Sequence, residues 1–309
     1  MSQIRFDGRV AIITGAGGGL GRSHAKLIAS RGARVVVNDL GTSVDGAASP
    51  SLAAENVAAE ICAAGGTAIA NGDDISDPAG ASRLVDQAVS AYGRVDILIN
   101  NAGILRDKTF AKMDLDDFRK VLDVHLLGAV YCTKAAWSVM QSQRWGRVIV
   151  TTSSSGLYGH FGQTNYGAAK LGLVGFIKAL AQEGQRFGIL ANAVAPLAAT
   201  RMSDGVLDAE TFRKMPPEHV SAVVAYLTSE GCDITGEVFV AGGGYLARAA
   251  IVESRGVVLA PDRPSPEQVA CIIQATLDLA GANAFPNLDV AFKAAALRLE
   301  DGAAQSAGA

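Results

Sequence analysis

The chain of 309 residues is long enough for one large α/β domain, or for such a domain with an appendage. Hydrophobic residues make up 49% of it and charged residues 18%, as in a well-buried globular protein. Its 27 basic and 30 acidic residues leave a net charge of −3 and form no cluster of one sign, so neither nucleic acid nor an anionic membrane is indicated as a partner.

Short β-branched runs alternate along the chain with longer, alanine-rich stretches of helical period. In chain order, the predicted strands are Arg9–Thr14, Arg34–Asp39, Thr67–Asn71, Val95–Asn100, Gly146–Thr152, Leu190–Ala195 and Glu237–Ala241. The predicted helices between them are Leu20–Arg31, Leu52–Ala64, Pro78–Tyr92, Leu115–Gln141, Tyr166–Phe187 and Pro217–Ser229. Both faces of each strand are mostly apolar, which is typical of a parallel sheet covered by helices on both sides. We therefore predict an α/β, doubly wound parallel seven-stranded sheet (a Rossmann fold) over residues 1–244.

Three stretches lie outside this alternation. Asp39–Ser51 is predicted as a long loop, and Pro196–Met215 as a loop with a short helix, where an α/β fold can carry a substrate lid. Residues 245–309 form a C-terminal extension. Its predicted parts are a strand at Gly256–Leu259, helices at Pro266–Leu279 and Val290–Leu299, and a low-complexity, disordered end at Asp301–Ala309.

The first strand leads into a glycine-rich turn, Thr14-Gly-Ala-Gly-Gly-Gly-Leu-Gly21, and then into a helix. Glycines at this junction allow a tight turn and bring backbone N–H groups close to a pyrophosphate at the positive end of the helix. A glycine-rich segment alone can be a flexible turn, but its place at the first strand–helix junction favours dinucleotide binding. The predicted contacts are Gly15, Gly19, Leu20 and Gly21.

Asp39, at the end of the second strand, predicts NAD rather than NADP as the cofactor. Its carboxylate can accept hydrogen bonds from the adenosine ribose and would repel a 2′-phosphate. Gly18, inside the glycine turn, offers no cation for that phosphate. Arg22, on the first helical turn, is a nearby cation whose alternative is a solvated side chain.

Two further strand ends are predicted to border the nucleotide. Asp74 and Ile75 follow the third strand and could flank the adenine, although the neighbouring aspartate and a plain loop cap are alternatives. Asn101, Ala102 and Gly103 follow the fourth strand. Small residues there let the chain turn beside the cofactor, while the asparagine can tie neighbouring strands together.

The fifth strand ends in a serine-rich run that contains Ser153, and Tyr166 follows thirteen residues later, with Lys170 on the same helical face. Moving a hydride between a nicotinamide and a carbinol carbon requires a proton to leave or join the oxygen. A tyrosine is a poor base at neutral pH, but a lysine ammonium and an oxidised nicotinamide both favour the phenolate and lower the pKa of Tyr166. Ser153 would hydrogen-bond the substrate oxygen. The pattern predicts an oxidoreductase acting on a secondary alcohol.

From Gly8 to Gly244 the chain resembles the short-chain dehydrogenase/reductase family, through the glycine turn and the pattern of Ser153, Tyr166 and Lys170. The resemblance implies that these three residues form the catalytic triad and that the lysine also holds the nicotinamide ribose. Many members carry asparagine where this chain has His125, and that asparagine helps to position a water in a proton relay. His125 is therefore either a catalytic relay group or a packed helix histidine.

Four segments carry a narrower resemblance, to the (3R)-hydroxyacyl-CoA dehydrogenase part of peroxisomal multifunctional enzymes of type 2. They are Gly103–Asp107, Val124–Leu126, Gly156–Gln163 and the stretch from Ala195 to Met202. The resemblance implies NAD-dependent oxidation of (3R)-3-hydroxyacyl-CoA to 3-oxoacyl-CoA. Related stand-alone enzymes act on steroids, so a 17β-hydroxysteroid or another bulky secondary alcohol is an alternative substrate. A non-catalytic nucleotide sensor or scaffold on this fold is an alternative of another class.

The substrate and the extension lead to two further expectations. A CoA ester would need cations at the pocket mouth, and the candidates, each of which could also be a solvated surface charge, are Arg106, Lys108, Arg201 and Arg248. The extension carries apolar positions that need a surface to cover. In the resembling enzyme this segment packs near the partner subunit's active site, which implies a homodimer here; folding back on its own subunit is the alternative.

The cysteines and the termini carry little functional signal. The four cysteines (Cys62, Cys132, Cys232 and Cys271) are far apart and the four histidines are scattered, so we predict no metal site and small buried thiols in a reducing compartment. The amino terminus has no apolar leader, the carboxyl terminus is not a peroxisomal address, and no stretch reads as a membrane span. We therefore expect a cytoplasmic protein.

Overall fold

The computed structural model describes residues 3–47, 52–198, 210, 214–259 and 265–307. The chain divides into two compact units, Met1–Arg248 and Ala249–Ala309. This division lies a few residues beyond Gly244, where the sequence predicted it, because the chain after that glycine forms one more strand.

The first unit is built on one sheet of eight strands. They are β1 (Val10–Thr14), β2 (Arg34–Asn38), β3 (Thr67–Asn71), β4 (Ile97–Asn100), β5 (Gly146–Thr151), β6 (Ile189–Pro196), β7 (Val238–Gly242) and β8 (Tyr245–Ala249). Their order is β3-β2-β1-β4-β5-β6-β7-β8, and every pairing from β3 to β7 is parallel. The order reverses between β1 and β4, so the predicted doubly wound Rossmann fold is confirmed.

The predicted number of strands is one too low, because β8 follows β7 directly. Gly242, Gly243 and Gly244 have φ angles of 150°, 58° and 81°, which side chains rarely tolerate and which form a tight turn. Tyr245–Ala249 can therefore join the sheet beside β7. The glycine triplet reads in the sequence as the end of the domain, and the short strand after it carries no continuous apolar run.

Helices cover both faces of this sheet. They are α1 (Gly19–Ser30), α2 (Ala53–Ala63), α3 (Pro78–Tyr92), α4 (Leu115–Leu122), α5 (Gly128–Gln143), α6 (Ser154–Tyr158), α7 (Thr164–Gly184) and α8 (Pro217–Leu227). On one face, Ile13, Ile28 and Val224 are buried in one apolar cluster formed by the sheet with α1, α2 and α8. The other face carries α3, α5 and α7, so the strands are buried on both sides, as their composition predicted.

The long helix predicted at Leu115–Gln141 is interrupted. α4 ends at Leu122, a single π turn follows at Asp123–Leu127, and α5 then continues to Gln143. Such wide turns insert an extra residue into a helix and are frequent at functional sites. A period of 3.6 residues does not reveal them, since the apolar pattern continues through the turn. His125 lies at the centre of this one.

The second unit contains α9 (Pro266–Thr276), α10 (Leu288–Ala307) and one isolated antiparallel bridge between Glu253 and Asn283. The predicted strand at Gly256–Leu259 is wrong, because these residues have no regular structure. The disorder predicted for Asp301–Ala309 stays a prediction, although the backbone continues α10 as far as Ala307. This end is rich in alanine, the strongest helix former, and low complexity alone did not reveal that. The short helix predicted within Pro196–Met215 lies largely outside the described residues.

Candidate active site

A cavity of about 430 Å³ lies at the carboxyl ends of β1 to β6. Doubly wound folds bind ligands at this edge, beside the reversal of strand order. The predicted site residues that line the cavity are Gly15, Gly19, Leu20, Asp39, Asp74, Ile75, Asn101, Ala102, Gly103, His125, Ser153, Tyr166 and Lys170. Residues from five different strand ends, from the start of α1, from the π turn and from α7 thus meet in one place.

The glycine turn forms one wall of this cavity and brings the start of α1 to it. The helix begins after Gly18, whose extended backbone provides no side-chain cap for the first N–H groups. A Cβ on Gly15 would lie 2.6 Å from Ala102 Cα, so the turn can approach the end of β4 only without a side chain. Gly21 is not a lining residue; a Cβ there would lie 2.3 Å from Gly15 O, which makes it a packing position beneath the turn. Its prediction as a cofactor contact is therefore not supported by its position.

Asp39 connects the end of β2 to the glycine turn. Its Oδ2 accepts a hydrogen bond from Gly17 N at 2.9 Å, and its Oδ1 accepts one from Gly41 N at 2.8 Å. The carboxylate is thereby fixed in the cavity wall. Arg22, the cation considered for a 2′-phosphate, instead pairs with Glu60 on α2 at 2.5 Å.

The loop after β3 places both of its aspartates along the cavity. Asp73 is engaged by Arg83 through an ion pair of 2.7 Å. Asp74 accepts hydrogen bonds on Oδ1 from the backbone N–H and the hydroxyl of Ser76, at 2.8 and 2.7 Å. Asp74 is thus a loop cap and a cavity-lining residue at the same time, and its neighbour Ile75 is buried.

Asn101 ties three strand ends together. Its Nδ2 donates to the carbonyl oxygens of Thr14 and Gly15, at 3.1 and 3.2 Å, and its Oδ1 accepts from Thr151 Oγ1 at 3.5 Å. The ends of β1, β4 and β5 are therefore held in one arrangement around the cavity.

Ser153, Tyr166 and Lys170 come together where α6 and α7 begin. Ser153 is the N-cap of α6, where its Oγ accepts from Ser155 N at 3.2 Å, and its hydroxyl lowers the pKa of Tyr166. Tyr166 lies in the first turn of α7, and Lys170 one turn further along. The Lys170 side chain is buried, with Nζ donating to the carbonyl oxygen of Thr151 at the end of β5 and lying 5.5 Å from the centre of the Tyr166 ring.

Burial controls the acid–base properties of this group. It lowers the pKa of Lys170 to about 7. It also raises the pKa of Tyr166, against the lowering effect of the hydrogen bond from Ser153, and Asp107 raises it further. The sequence predicted a lowered pKa from the lysine and the nicotinamide together; the protein's own groups act in the opposite direction because the desolvation of the phenol outweighs its hydrogen bond.

His125 contacts the triad from the π turn. Its ring packs edge-on against the ring of Tyr166, with centroids 5.2 Å apart and planes at 86°. Its Nε2 lies 2.8 Å from Ile104 O and 3.0 Å from Ile104 N, so it donates to the carbonyl in one tautomer and accepts from the amide in the other. Its Nδ1 is buried without a hydrogen-bond partner among the described residues. Burial, helped by the charge of Lys170, holds the pKa of His125 well below its usual value, so the ring is neutral.

Several lining residues were not predicted as site residues from the sequence, among them Val44, Lys120 and Gln163. Val44 belongs to the loop after β2, and its carbonyl oxygen accepts a hydrogen bond from Leu105 N at 2.9 Å. The sequence analysis predicted this loop only as a connection between elements. Gln163 precedes Tyr166 by three residues, which places both on one side of a helix start. That spacing was visible in the sequence, whereas the position of Lys120 depends on the π turn.

The predicted phosphate-binding cations are already paired. Arg106 and Lys108 both bind Asp117, at 2.6 and 2.9 Å, and Arg248 binds Glu237 at 2.7 Å. Arg201 lies outside the described residues. The three candidates that the structure describes are thus engaged in ion pairs, and their role in binding phosphates stays a prediction.

The cysteines divide into two groups. Cys132 and Cys232 are buried, as expected, whereas Cys62 and Cys271 are exposed, because both lie on the outer faces of helices. Among the described residues, no group of three or more His, Cys, Asp or Glu could hold a metal ion. Within the same residues, none of the helices has the length and apolarity needed to cross a membrane.

The doubly wound sheet carries a glycine turn at its first strand–helix junction. Its serine, tyrosine and lysine meet where β5 ends and α7 begins. Together these features define a class of dehydrogenase. The model of the short chain dehydrogenase family matches residues 9–210. The chain belongs to this family.

The chain is similar to several known members of the family. It is 48% identical over 274 residues, 89% of its length and 96% of the relative's, to a short-chain type dehydrogenase/reductase of Mycobacterium tuberculosis whose name marks the assignment as provisional. It is 46% identical over 264 residues, 85% of its length, to peroxisomal multifunctional enzyme type 2 of Drosophila melanogaster, and spans 44% of that protein. The full-length structure of the Drosophila enzyme superimposes with a TM-score of 0.83 at 37% identity, covering 96% of this chain and 50% of that one.

A more distant solved relative is 7α-hydroxysteroid dehydrogenase, complexed with NADH and 7-oxoglycochenodeoxycholic acid. It superimposes with a TM-score of 0.69 at 29% identity, over 78% of this chain and 95% of that one.

Proposed function

We propose that this protein is an NAD-dependent dehydrogenase that oxidises (3R)-3-hydroxyacyl-CoA to 3-oxoacyl-CoA. The observation that carries the proposal is the meeting of Ser153, Tyr166 and Lys170 in the cavity whose other end is the glycine turn. The substrate class rests on the segments that resemble the dehydrogenase part of the multifunctional enzymes and on the 46% identity to one of them.

The residues of the nucleotide end fit a dinucleotide. The turn approaches β4 so closely that Gly15 has no room for a Cβ, and the uncapped N–H groups of α1 suit a pyrophosphate. Asp39, fixed by Gly17 and Gly41, would accept from the ribose hydroxyls. Since Arg22 is held by Glu60, a 2′-phosphate would meet the carboxylate without that cation, and NAD is favoured. When bound, the oxidised nicotinamide accepts a hydride from the carbinol carbon.

The chain's own residues manage the substrate oxygen and its proton. The hydroxyl of Ser153 holds the oxygen beside Tyr166, which lines the same cavity and whose pKa Ser153 lowers. Tyr166 takes the carbinol proton during oxidation and returns it during reduction. Lys170, whose Nζ is anchored on Thr151 O, favours the phenolate when charged and would hold the nicotinamide ribose.

His125 acts in this scheme by position. Its ring is neutral, and its Nε2 is occupied by the backbone of Ile104, so it holds the start of the loop after β4 against Tyr166. It takes the place at which many family members carry the relay asparagine. The relay role that the sequence suggested would use Nδ1, which has no partner among the described residues.

A bulky steroid alcohol is the second candidate substrate. The 29% identity to a hydroxysteroid dehydrogenase that covers 78% of this chain favours it. Arg106, Lys108 and Arg248 are engaged in ion pairs, which weakens the argument that they bind the phosphates of a CoA ester. The steroid is therefore kept as the alternative substrate.

Assembly and location are further parts of the proposal. We infer a homodimer in which the second unit contributes to the interface, because its helices expose many apolar side chains, among them Ile273, Leu277 and Phe292. A cytoplasmic location stays a prediction from the sequence.

A substrate panel tests the proposal. It compares both enantiomers of 3-hydroxyacyl-CoA thioesters with 17β- and 7α-hydroxysteroids, each with NAD and with NADP. The expected result is the highest kcat/KM for the (3R) thioester with NAD. A higher kcat/KM for a steroid would transfer the assignment to the second candidate, and an inactive protein across the panel would favour a nucleotide sensor.

A variant tests the chemistry separately. Tyr166→Phe should abolish turnover and leave NADH binding nearly intact, since it removes only the hydroxyl that exchanges the proton. Turnover within about tenfold of wild type, a change of only about 1.4 kcal/mol in the barrier, would reject Tyr166 as the acid–base group.

A further inference from the structure

The loop after β4 carries three consecutive charged residues, Arg106, Asp107 and Lys108. The two cations turn to one carboxylate on α4: Arg106 Nη1 lies 2.6 Å from Asp117 Oδ1, and Lys108 Nζ lies 2.9 Å from Asp117 Oδ2. Within the part of the chain that the structure describes, no basic side chain pairs with Asp107. Asp107, the middle residue, is therefore the charged side chain of this loop that has no ion-pair partner among the described residues.

Hydrogen bonds to the start of α7 fix the position of this carboxylate. Asp107 Oδ2 accepts from Gln163 Nε2 at 2.6 Å. The backbone N–H that follows it donates to Gly162 O, and the carbonyl that precedes it accepts from Asn165 Nδ2, both at 3.0 Å. Asp107 is exposed, yet three bonds hold its loop against the turn of helix that carries the catalytic tyrosine.

Four groups from different elements act on Tyr166. Ser153, from the end of β5, gives it a hydrogen bond that favours the phenolate. Lys170, on α7 itself, is buried and has its pKa lowered to about 7, so its charge weakens across the neutral range. His125, from the π turn, is neutral. Asp107 is the group that presents a carboxylate, and its charge raises the pKa of the tyrosine.

We propose that Asp107 is a positioning residue that keeps the proton on Tyr166, through a carboxylate that forms no ion pair among the described residues and is held at the start of α7 by Gln163. The inference rests on the proposed role of Tyr166 as the acid–base group. In ketone reduction the hydride adds to the carbonyl carbon from the reduced nicotinamide, and the phenol gives its proton to the carbonyl oxygen. Oxidation reverses both transfers. A negative charge nearby stabilises the phenol over the phenolate, so it favours proton donation and opposes proton removal.

The test is the pH dependence of both directions in Asp107→Asn, which keeps an acceptor for Gln163 and removes the charge. The acid limb of kcat/KM for oxidation should move down by roughly half a pH unit, because the carboxylate is exposed and partly screened. Oxidation on that limb should then be about threefold faster than in the wild type. The alkaline limb of reduction should move down equally, and added salt should shrink the difference in both directions.

Two matched variants separate charge from structure. Asp116→Asn removes an exposed carboxylate of α4 that does not contribute to the pKa shift of Tyr166, and should leave both limbs in place. Gln163→Leu removes the hydrogen bond and keeps the charge, so it should move the acid limb down by less than Asp107→Asn does. The ultraviolet absorbance of tyrosinate, taken as the difference from Tyr166→Phe, should show the same downward shift in Asp107→Asn without any turnover measurement.

The proposal would be overturned if the pH profiles of oxidation and reduction were unchanged in Asp107→Asn. It would also be overturned if Asp116→Asn shifted these profiles by the same amount. If Tyr166→Phe keeps turnover, the proposed acid–base role fails first and this inference fails with it. An inactive Tyr166→Phe together with an unshifted Asp107→Asn rejects the inference alone.

Discussion

Gly103 lies directly against the imidazole of His125. A Cβ on Gly103 would come within 2.1 Å of His125 Cε1 and 2.8 Å of its Nδ1, distances that a real side chain cannot keep. The histidine in turn holds Ile104 through Nε2 and packs edge-on against Tyr166. The missing side chain at Gly103 is thus one of the conditions for the position of the tyrosine.

Gly103→Ala should therefore displace His125 and lower kcat. We expect a loss of about 1–3 kcal/mol in the free energy of unfolding, as for other overpacked interiors, and a fall in kcat by about tenfold, measured by chemical denaturation and steady-state kinetics. The control is the same change in a His125→Asn background, where the shorter side chain leaves room for the added methyl. Equal effects of Gly103→Ala in both backgrounds would contradict a contact between the two residues.

The regular parts of the fold could be predicted from local signals. α3 begins and ends where the sequence predicts because Asp77 caps its first N–H groups, Pro78 occupies the first position and Gly93 ends it in the left-handed conformation. β8 and the π turn at Asp123–Leu127 could not be predicted in this way. The first depends on pairing with β7, and the second on the ring of His125 fitting beside the end of β4, so both are tertiary effects.

In the candidate site, too, local sequence signals predict some residues, whereas others depend on tertiary contacts. Ser153, Tyr166, Lys170 and Asp39 stand at strand ends or at fixed helical spacing, and the structure brings all four to one cavity. The charges around them depend on partners far along the chain. Asp117 forms ion pairs with Arg106 and Lys108, two of the cations expected to bind phosphates. No sequence pattern connects Asp117 with the loop after β4 that carries them.

Asp39 should set the choice of nucleotide. Asp39→Ala removes the predicted ribose acceptor and the charge that would repel a 2′-phosphate, so the Kd for NAD should rise by about tenfold while that for NADP falls. Fluorescence titration of both nucleotides measures this directly. Arg22→Gln serves as control, since this arginine is held by Glu60, and should leave the ratio unchanged. If the wild type bound NAD and NADP equally well, a contact between Asp39 and the adenosine ribose would be rejected.

His24 should make the protein acid-sensitive. It is buried between α1 and α8, where its Nδ1 lies 2.7 Å from Ser221 Oγ, and burial lowers its pKa to about 3. Above pH 6.5 the ring is neutral in the folded and unfolded chains and contributes no pH dependence. Below that value the unfolded chain binds a proton that the folded chain excludes, so the free energy of unfolding falls by about 1.4 kcal/mol per pH unit until about pH 3.

His24→Gln should remove this term while keeping a hydrogen bond to Ser221. Between about pH 6.5 and pH 5 the variant should lose about 2 kcal/mol less than the wild type, measured by denaturant titration at each pH. The exposed His219→Gln should keep the wild-type slope. An unchanged slope in His24→Gln would show that this histidine takes up a proton in the folded state as readily as in the unfolded one.

The second unit should form part of a dimer interface. Its two helices carry large apolar side chains that are exposed to solvent, with Ile273 at 45%, Leu288 at 67% and Phe292 at 65% exposure. A chain that ends at Ala249 keeps all eight strands of the first unit, so it can be tested without cutting the sheet. We expect it to be monomeric by light scattering and to show a raised KM for long acyl-CoA substrates, since the sequence predicts that this segment packs near the partner subunit's active site. Ile273→Asp in the full chain should also reduce the mass, whereas Gln274→Asp on the same helix should not. A truncated protein that stays dimeric with an unchanged KM would assign the apolar surface of α9 and α10 to some other contact.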